Sequence, residues 1–233
     1  MSRSYKWLPV INEDLFTGCG DERSRTTMTE TLSKTDLRQW ALRQRRRLSP
    51  SHIRRMSERV ANNLKTVEGF RCARHIFTCL SFDNEVDMWR LVDELAAEPD
   101  RQVYVPRVDD SGIMHVHPYP CKLRTSRMGL RQPEPGETEV TRERVDTILD
   151  LALVLGLAFE RRRGYRLGHD AGYFDRFLTG RPFCAIGLSF ECSLVDRLPV
   201  EPHDIPMRMI VTEDHVYRYE NKREKNLRRT VSR

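Results

Sequence analysis

Between positions 161 and 172 the chain interleaves arginines with glycines: Arg161, Arg162, Arg163 and Arg166 among Gly164, Gly168 and Gly172, the glycines four residues apart. Glycine lets a backbone approach a ligand or take positive φ, and guanidinium groups beside the free amides of a helix start bind phosphate oxygens. A nucleotide is the simplest ligand for such a stretch. The pattern is not a Walker loop, since no Gly-Lys-Ser/Thr follows, and it is not the dinucleotide GxGxxG. Spacing alone leaves open an ordinary exposed turn whose arginines face water.

A strand and a helix must hold this loop. Leu151 to Phe159 is a run of nine apolar or small residues, too short for a membrane span and suited to a strand buried on both faces of a parallel sheet. Tyr173 to Leu178 follows with helical spacing. Upstream, Ser33 to Thr35 supplies capping hydroxyls for a helix on which Leu37, Trp40, Ala41 and Gln44 trace one face up to Leu48. Ile53, Met56, Val60 and Leu64 form the buried stripe of a second helix over about 51–65. Strands are expected at 75–80, at 101–108 with a stop at Pro106, at 114–117 and at 184–188, with a helix over 86–97. Such alternation implies a three-layer α/β/α sandwich with a mostly parallel central sheet, as a single domain over residues 31–220. Residues 1–30 read as an N-terminal extension and 221–233 as a basic tail.

Composition narrows the function classes. The net charge is +6, but residues 221–233 hold six basic residues and one acidic, so the body is nearly neutral. Nucleic-acid binding through that tail is the minor reading and a solvated terminus the major one. No run is long enough for a transmembrane helix, and the first twenty residues lack a signal-peptide core. The six cysteines form no CxxC pair, which suits reduced thiols in the cytoplasm. His115 and His117 share one side of a strand, yet no third metal ligand is near in sequence, so both read as structural.

Three blocks in order, GLAFE at 156–160, GYRLG at 164–168 and GYFDRFL at 172–178, resemble the signature of the 5-formyltetrahydrofolate cyclo-ligase family. Further blocks agree along about 33–217. The resemblance implies ATP-dependent closure of 5-formyltetrahydrofolate to 5,10-methenyltetrahydrofolate, with small-molecule substrates and Mg2+; a monomer is the expected state. Lys34 and Arg38 match the family's opening cations for ATP phosphates. Gly164, Arg166, Leu167, Gly168, His169, Asp170, Ala171, Gly172, Tyr173 and Phe174 match its nucleotide loop, with Arg166 and Tyr173 as the catalytic candidates. Leu80, Glu85, Arg107, Met114 and Tyr173 match folate-contacting positions, and Asp175 with Asp204 matches the metal ligands.

Several positions depart from the family pattern. Asp170 stands where a glycine is usual, and a carboxylate there repels phosphate unless it binds the metal. Glu160 replaces an aspartate, an extra arginine precedes Gly164, and Gln132 replaces an acidic residue. An active enzyme with a reshaped loop is the leading reading; the alternative is a divergent, non-catalytic paralogue that binds nucleotide, folate or RNA.

Overall fold

The computed structural model describes residues 32–126, 129–169 and 172–219. The expected extension 1–30, the tail 221–233, and Asp170 and Ala171 of the loop lie outside the described residues. In chain order the elements are α1 (Lys34–Arg46), α2 (Pro50–Lys65), α3 (Glu68–Cys72), β1 (His75–Thr78), α4 (Trp89–Ala96), β2 (Gln102–Val108) and β3 (Met114–Tyr119). Then come β4 (Leu123–Thr125), β5 (Arg131–Pro133), α5 (Arg142–Ile148), β6 (Leu151–Val154), β7 (Ala158–Glu160), β8 (Arg166–Leu167) and α6 (Tyr173–Leu178). The described chain closes with β9 (Cys184–Leu188), a 3₁₀ turn, β10 (Leu194–Val195), β11 (Met209–Val211) and β12 (Val216–Arg218).

Among the described residues the main sheet has seven strands in the order β12-β11-β9-β6-β1-β2-β3. The five inner strands are parallel, and each edge is closed by an antiparallel partner, β3 on β2 and β12 on β11. Strand alternation sorts the core into two layers. Ile76, Val103, Val105, Leu151, Leu153, Ile186 and Val211 point towards α2, α3 and α4, while Phe77, Tyr104, Ala152, Val154, Ala185 and Ile210 point towards α5 and α6. Helices therefore cover both faces, as expected, and a fully buried side chain such as Phe77 contributes about 1.5–3 kcal/mol. No helix among the described residues is long and apolar enough to cross a membrane.

The apolar run from Leu151 does not make one strand. It leaves the main sheet after Val154, turns at Leu155 to Leu157, and enters a second sheet, β10-β7-β8, at Ala158. All ten residues from Leu151 to Glu160 are buried on either side of the crossing, so hydrophobicity carries no mark of it. Phe159 of β7 lies against Gly187 of β9, where any side chain would collide with its ring, and this contact locks the two sheets together. β2 also continues through Pro106. β1 pairs with β2 only over Gln102 to Tyr104, so the proline sits where its missing N–H has no partner to lose on that side.

Helix α1 starts from a capping box in which Ser33 Oγ accepts from Asp36 N at 3.2 Å and Asp36 Oδ2 accepts from Ser33 N at 3.1 Å. Its apolar face, Leu37, Trp40 and Ala41, packs on the small sheet and on Leu198, forming a third core of its own. That docking brings the polar start of α1 to the mouth of the main sheet.

Candidate active site

A cavity of about 800 Å³ opens beyond the carboxyl ends of β1, β2 and β6, the place where parallel sheets present loops to ligands. Cys79, Leu80 and Leu155 lie along it where β1 and β6 end, with Pro106 and Val108 of β2 and Met114 of β3 beside them. α1 contributes Lys34 and Arg38, Arg166 to His169 and Gly172 to Asp175 add further lining, Glu201, His203 and Asp204 join them, and the β4–β5 hairpin contributes Leu130, Arg131 and Gln132. Burial pushes the Cys79 thiol up to about 12, so it acts as a small apolar wall group.

The cations come from two elements. Lys34 Nζ donates to Asp204 Oδ2 at 2.8 Å and to Glu201 Oε2 at 3.1 Å. One turn later Arg38 Nε donates to the carbonyl of Gly168 at 3.0 Å, so the two face the cavity together, as i, i+4 spacing allows. Arg166 is buried on β8, its Nη2 donating to Asp175 Oδ2 at 3.0 Å and its guanidinium 5.1 Å from the centre of the Phe174 ring. Burial lowers its pKa, and the Asp175 carboxylate opposes that shift.

The glycines serve this arginine. A Cβ on Gly156 would lie 2.7 Å from Arg166 Cγ, and one on Gly168 would lie 2.6 Å from Arg166 Nη1. Gly164 is a correction to the expected nucleotide loop, since it is absent from the cavity lining. It holds φ +78° in the turn between β7 and β8, with room for a Cβ closed by Tyr219 at 2.7 Å and the Met207 carbonyl at 2.8 Å. Among the described glycines, Gly172, φ +61° at the start of α6, is the one that both lines the cavity and uses a backbone that glycine favours.

Arg107 is a second correction. It is paired with His115 across β2 and β3, on the face of Val105 and His117, whereas the lining comes from the opposite parity, Pro106, Val108 and Met114. His115 is held by carboxylates, Nε2 2.8 Å from Asp109 Oδ2 and Nδ1 2.6 Å from Glu139 Oε1, and His117 Nδ1 by the Thr138 carbonyl at 2.9 Å. The remaining expected residues within the described chain do meet: Lys34, Arg38, Leu80, Glu85, Met114, Arg166, Leu167, Gly168, His169, Gly172, Tyr173, Phe174, Asp175 and Asp204 all line the cavity.

The acidic lining residues are Glu85, Asp109, Asp175, Glu201 and Asp204. Glu85, 7% exposed, lies near His169 and accepts from Phe82 N at 3.2 Å through Oε2. Glu201, His203 and Asp204 bring ligand atoms within 4.8 Å of one another, a donor set in which two carboxylates suit a hard divalent cation. Asp175, expected beside Asp204 as a ligand, stands outside that group, its Oδ2 taken by Arg166 and its Oδ1 accepting from Ile205 N at 3.2 Å. Glu201, His203, Phe82 and Arg131 are lining residues that sequence reasoning missed; a run of two acids and a histidine after a proline-bounded turn was the signal for the first two.

The sequence model of the 5-formyltetrahydrofolate cyclo-ligase family matches residues 30–213, most of the chain and all of this cavity. The chain belongs to that family. A cyclo-ligase relative from Escherichia coli K12, named 5-formyltetrahydrofolate cyclo-ligase, is 29% identical over 187 residues, covering 76% of this chain and all of that protein. The solution structure of the Aquifex aeolicus 5,10-methenyltetrahydrofolate synthetase is 29% identical, covers 81% of this chain and 93% of its own, and superposes with a TM-score of 0.69. The Mycoplasma pneumoniae 5,10-methenyltetrahydrofolate synthetase, 18% identical with a TM-score of 0.61 over 78% of this chain and 99% of its own, shares the cyclo-ligase fold.

Proposed function

We propose that this protein catalyses the ATP-dependent cyclisation of 5-formyltetrahydrofolate to 5,10-methenyltetrahydrofolate, releasing ADP and phosphate. The observation that carries the reading is one cavity lined both by the cations Lys34, Arg38 and Arg166 and by Leu80, Glu85 and Met114. The formyl oxygen on N5 takes the γ-phosphoryl group of ATP. N10 then attacks the formyl carbon, its proton departs, and the C–O bond breaks with the oxygen leaving in phosphate. Such chemistry needs positioning and charge neutralisation more than covalent help from the protein.

Each side chain has a task in this reading. Lys34 and Arg38 exchange their present acceptors for phosphate oxygens, and Arg166, fixed by Asp175, meets the charge that develops on the transferring group. Tyr173, 37% exposed on the rim, and Phe174 pack against a planar ring, while Leu80, Glu85 and Met114 receive the pterin. Mg2+ would be held by Glu201 and Asp204 and would supply charge neutralisation for the phosphates. The free cysteines among the described residues, Cys72, Cys79, Cys121, Cys184 and Cys192, support a reducing, cytoplasmic setting. We take the enzyme to act on small molecules as a monomer over a domain of residues 31–220, with nucleic-acid contact a minor reading confined to the 221–233 tail.

The test is optical. Purified protein mixed with 5-formyltetrahydrofolate and MgATP should develop the near-ultraviolet band of the methenyl product, and omission of either substrate should abolish it. A folded protein that gives no band with both present would falsify the assignment.

A further inference from the structure

Glu85 has three neighbours of unequal standing. Its Oε2 accepts from Phe82 N, and its Oε1 lies 3.7 Å from His169 Nε2 and 3.5 Å from Arg45 Nη1. The His169 side chain is 52% exposed on the rim, within reach of any ligand. Arg45 is 4% exposed and lies behind the carboxylate, outside the cavity lining.

Arg45 is an unusual residue to bury. Its Nη2 donates to the carbonyl of Gly156, while Nε and Nη1 are buried without a hydrogen-bond partner. A guanidinium in that state is tolerated where a compensating charge stands beside it, and among the described residues Glu85 is the carboxylate in salt-bridge reach. Arg45 also belongs to the inward stripe of α1 that carries Lys34, Arg38 and Ala41. One rigid helix thus reaches the rim carboxylates, the Gly168 carbonyl and the back of Glu85.

We infer that Arg45 is a positioning residue for the folate half of the site. From a place that neither solvent nor ligand reaches, it neutralises Glu85 and fixes the aim of its carboxylate. The two oxygens then present an acceptor pair to coplanar N–H donors, the edge that an aminopyrimidinone ring offers. This role rests on the proposed function above for the identity of the ligand, and on the Arg45–Glu85 contact for everything else.

The experiment uses full-length Arg45→Met, Arg45→Lys, Glu85→Gln and the Arg45→Met/Glu85→Gln double variant. Calorimetric titration with 5-formyltetrahydrofolate and, separately, with MgATP is combined with thermal midpoints. Arg45→Met should weaken folate binding by about tenfold or more and leave MgATP within about twofold, since one ion pair and not the whole site is removed. Arg45→Lys should recover part of the folate affinity. Glu85→Gln should raise the midpoint of the Arg45→Met protein, because it removes the stranded charge, and should not raise that of the wild type. Equal loss of both ligands, no recovery with lysine, or an identical effect of Glu85→Gln in both backgrounds each overturns the role. Wild-type protein that binds folate without forming product removes the proposed activity alone, and the affinities still decide the role of Arg45; wild-type protein that binds no folate overturns both.

Discussion

Lys34 Nζ lies 2.8 Å from Oδ2 of Asp204, so the first residue of α1 is fastened to a loop 170 positions further along the chain. In the absence of nucleotide the carboxylates of Asp204 and Glu201 occupy the ammonium that phosphate would claim. Lys34→Met should therefore lower kcat/KM for MgATP by about a hundredfold while shifting the folate KM little, given that a charge-assisted contact made most strongly in the transition state is worth about 3 kcal/mol. Burial pulls the lysine pKa down, but the hydrogen bonds it donates to Asp204 and Glu201 outweigh that and the pKa is raised above 10.5. The stabilisation from this tie is present throughout the range below that value and is lost only as pH rises through the raised pKa. A step in the activity profile near neutrality that disappears in Lys34→Met would contradict this placement.

Gly168→Ala tests whether the glycines make room for Arg166. The new Cβ would meet Nη1 at 2.6 Å and push the guanidinium off Asp175. Steady-state kinetics should register a loss of about tenfold or more in kcat, of the size expected when a small displacement misaligns a catalytic charge. Wild-type kinetics for this variant would mean that Arg166 is free to move and is not the fixed charge assigned to it.

A contrast in stability separates two glycines that share positive φ. Gly164→Ala meets Tyr219 and the Met207 carbonyl as well as an unfavourable backbone, whereas Gly136, φ +92°, has nothing within 4 Å of a new Cβ. Backbone strain alone costs about 1–3 kcal/mol, so both variants should melt lower, with Gly164→Ala lower by clearly more than Gly136→Ala. Differential scanning calorimetry decides the order, and equal midpoints would rule out the packed turn.

His115 should give the fold a pH dependence of known sign. Hydrogen bonds to Asp109 and Glu139 raise its pKa above 6.5 against burial and the nearby Arg107, and the same histidine holds Asp109 well below the usual carboxylate range. A raised histidine contributes stability that is complete below 6.5 and fades as pH climbs through its folded pKa; a depressed Asp109 contributes stability that is complete above 3.8 and fades on acidification. Thermal midpoints of wild type and His115→Gln should thus be furthest apart between those two values and should converge as pH rises past the histidine. A gap that widens on alkalinisation would reverse the assignment.

Much of the site was readable because its residues sit where local sequence dictates place. Leu80 and Glu85 follow a short apolar strand, Lys34 and Arg38 share a helix face, and Arg166 to His169 and Gly172 to Asp175 flank the glycine-marked stretch, so each could be placed beside the cavity from its own segment. Arg107 failed on parity, since in a strand a single step moves a side chain to the other face. The division of Leu151 to Glu160 between two sheets failed because a residue buried in either sheet looks the same in sequence. Arg45 stood unnoticed among Arg43, Arg46 and Arg47; its distinction is burial, which depends on how α1 docks. The same holds for Glu201 and His203, whose loop is brought to the cavity by a partner far away in the chain.

The hydrocarbon of α1 belongs to a core separate from the two that flank the seven-stranded sheet. Shaving this helix from the molecule would therefore strip away Lys34, Arg38 and Arg45 in one stroke and leave both large layers with their interiors intact. The chain thereby carries three of the cations around its ligand on a helix whose apolar face neither large core contains.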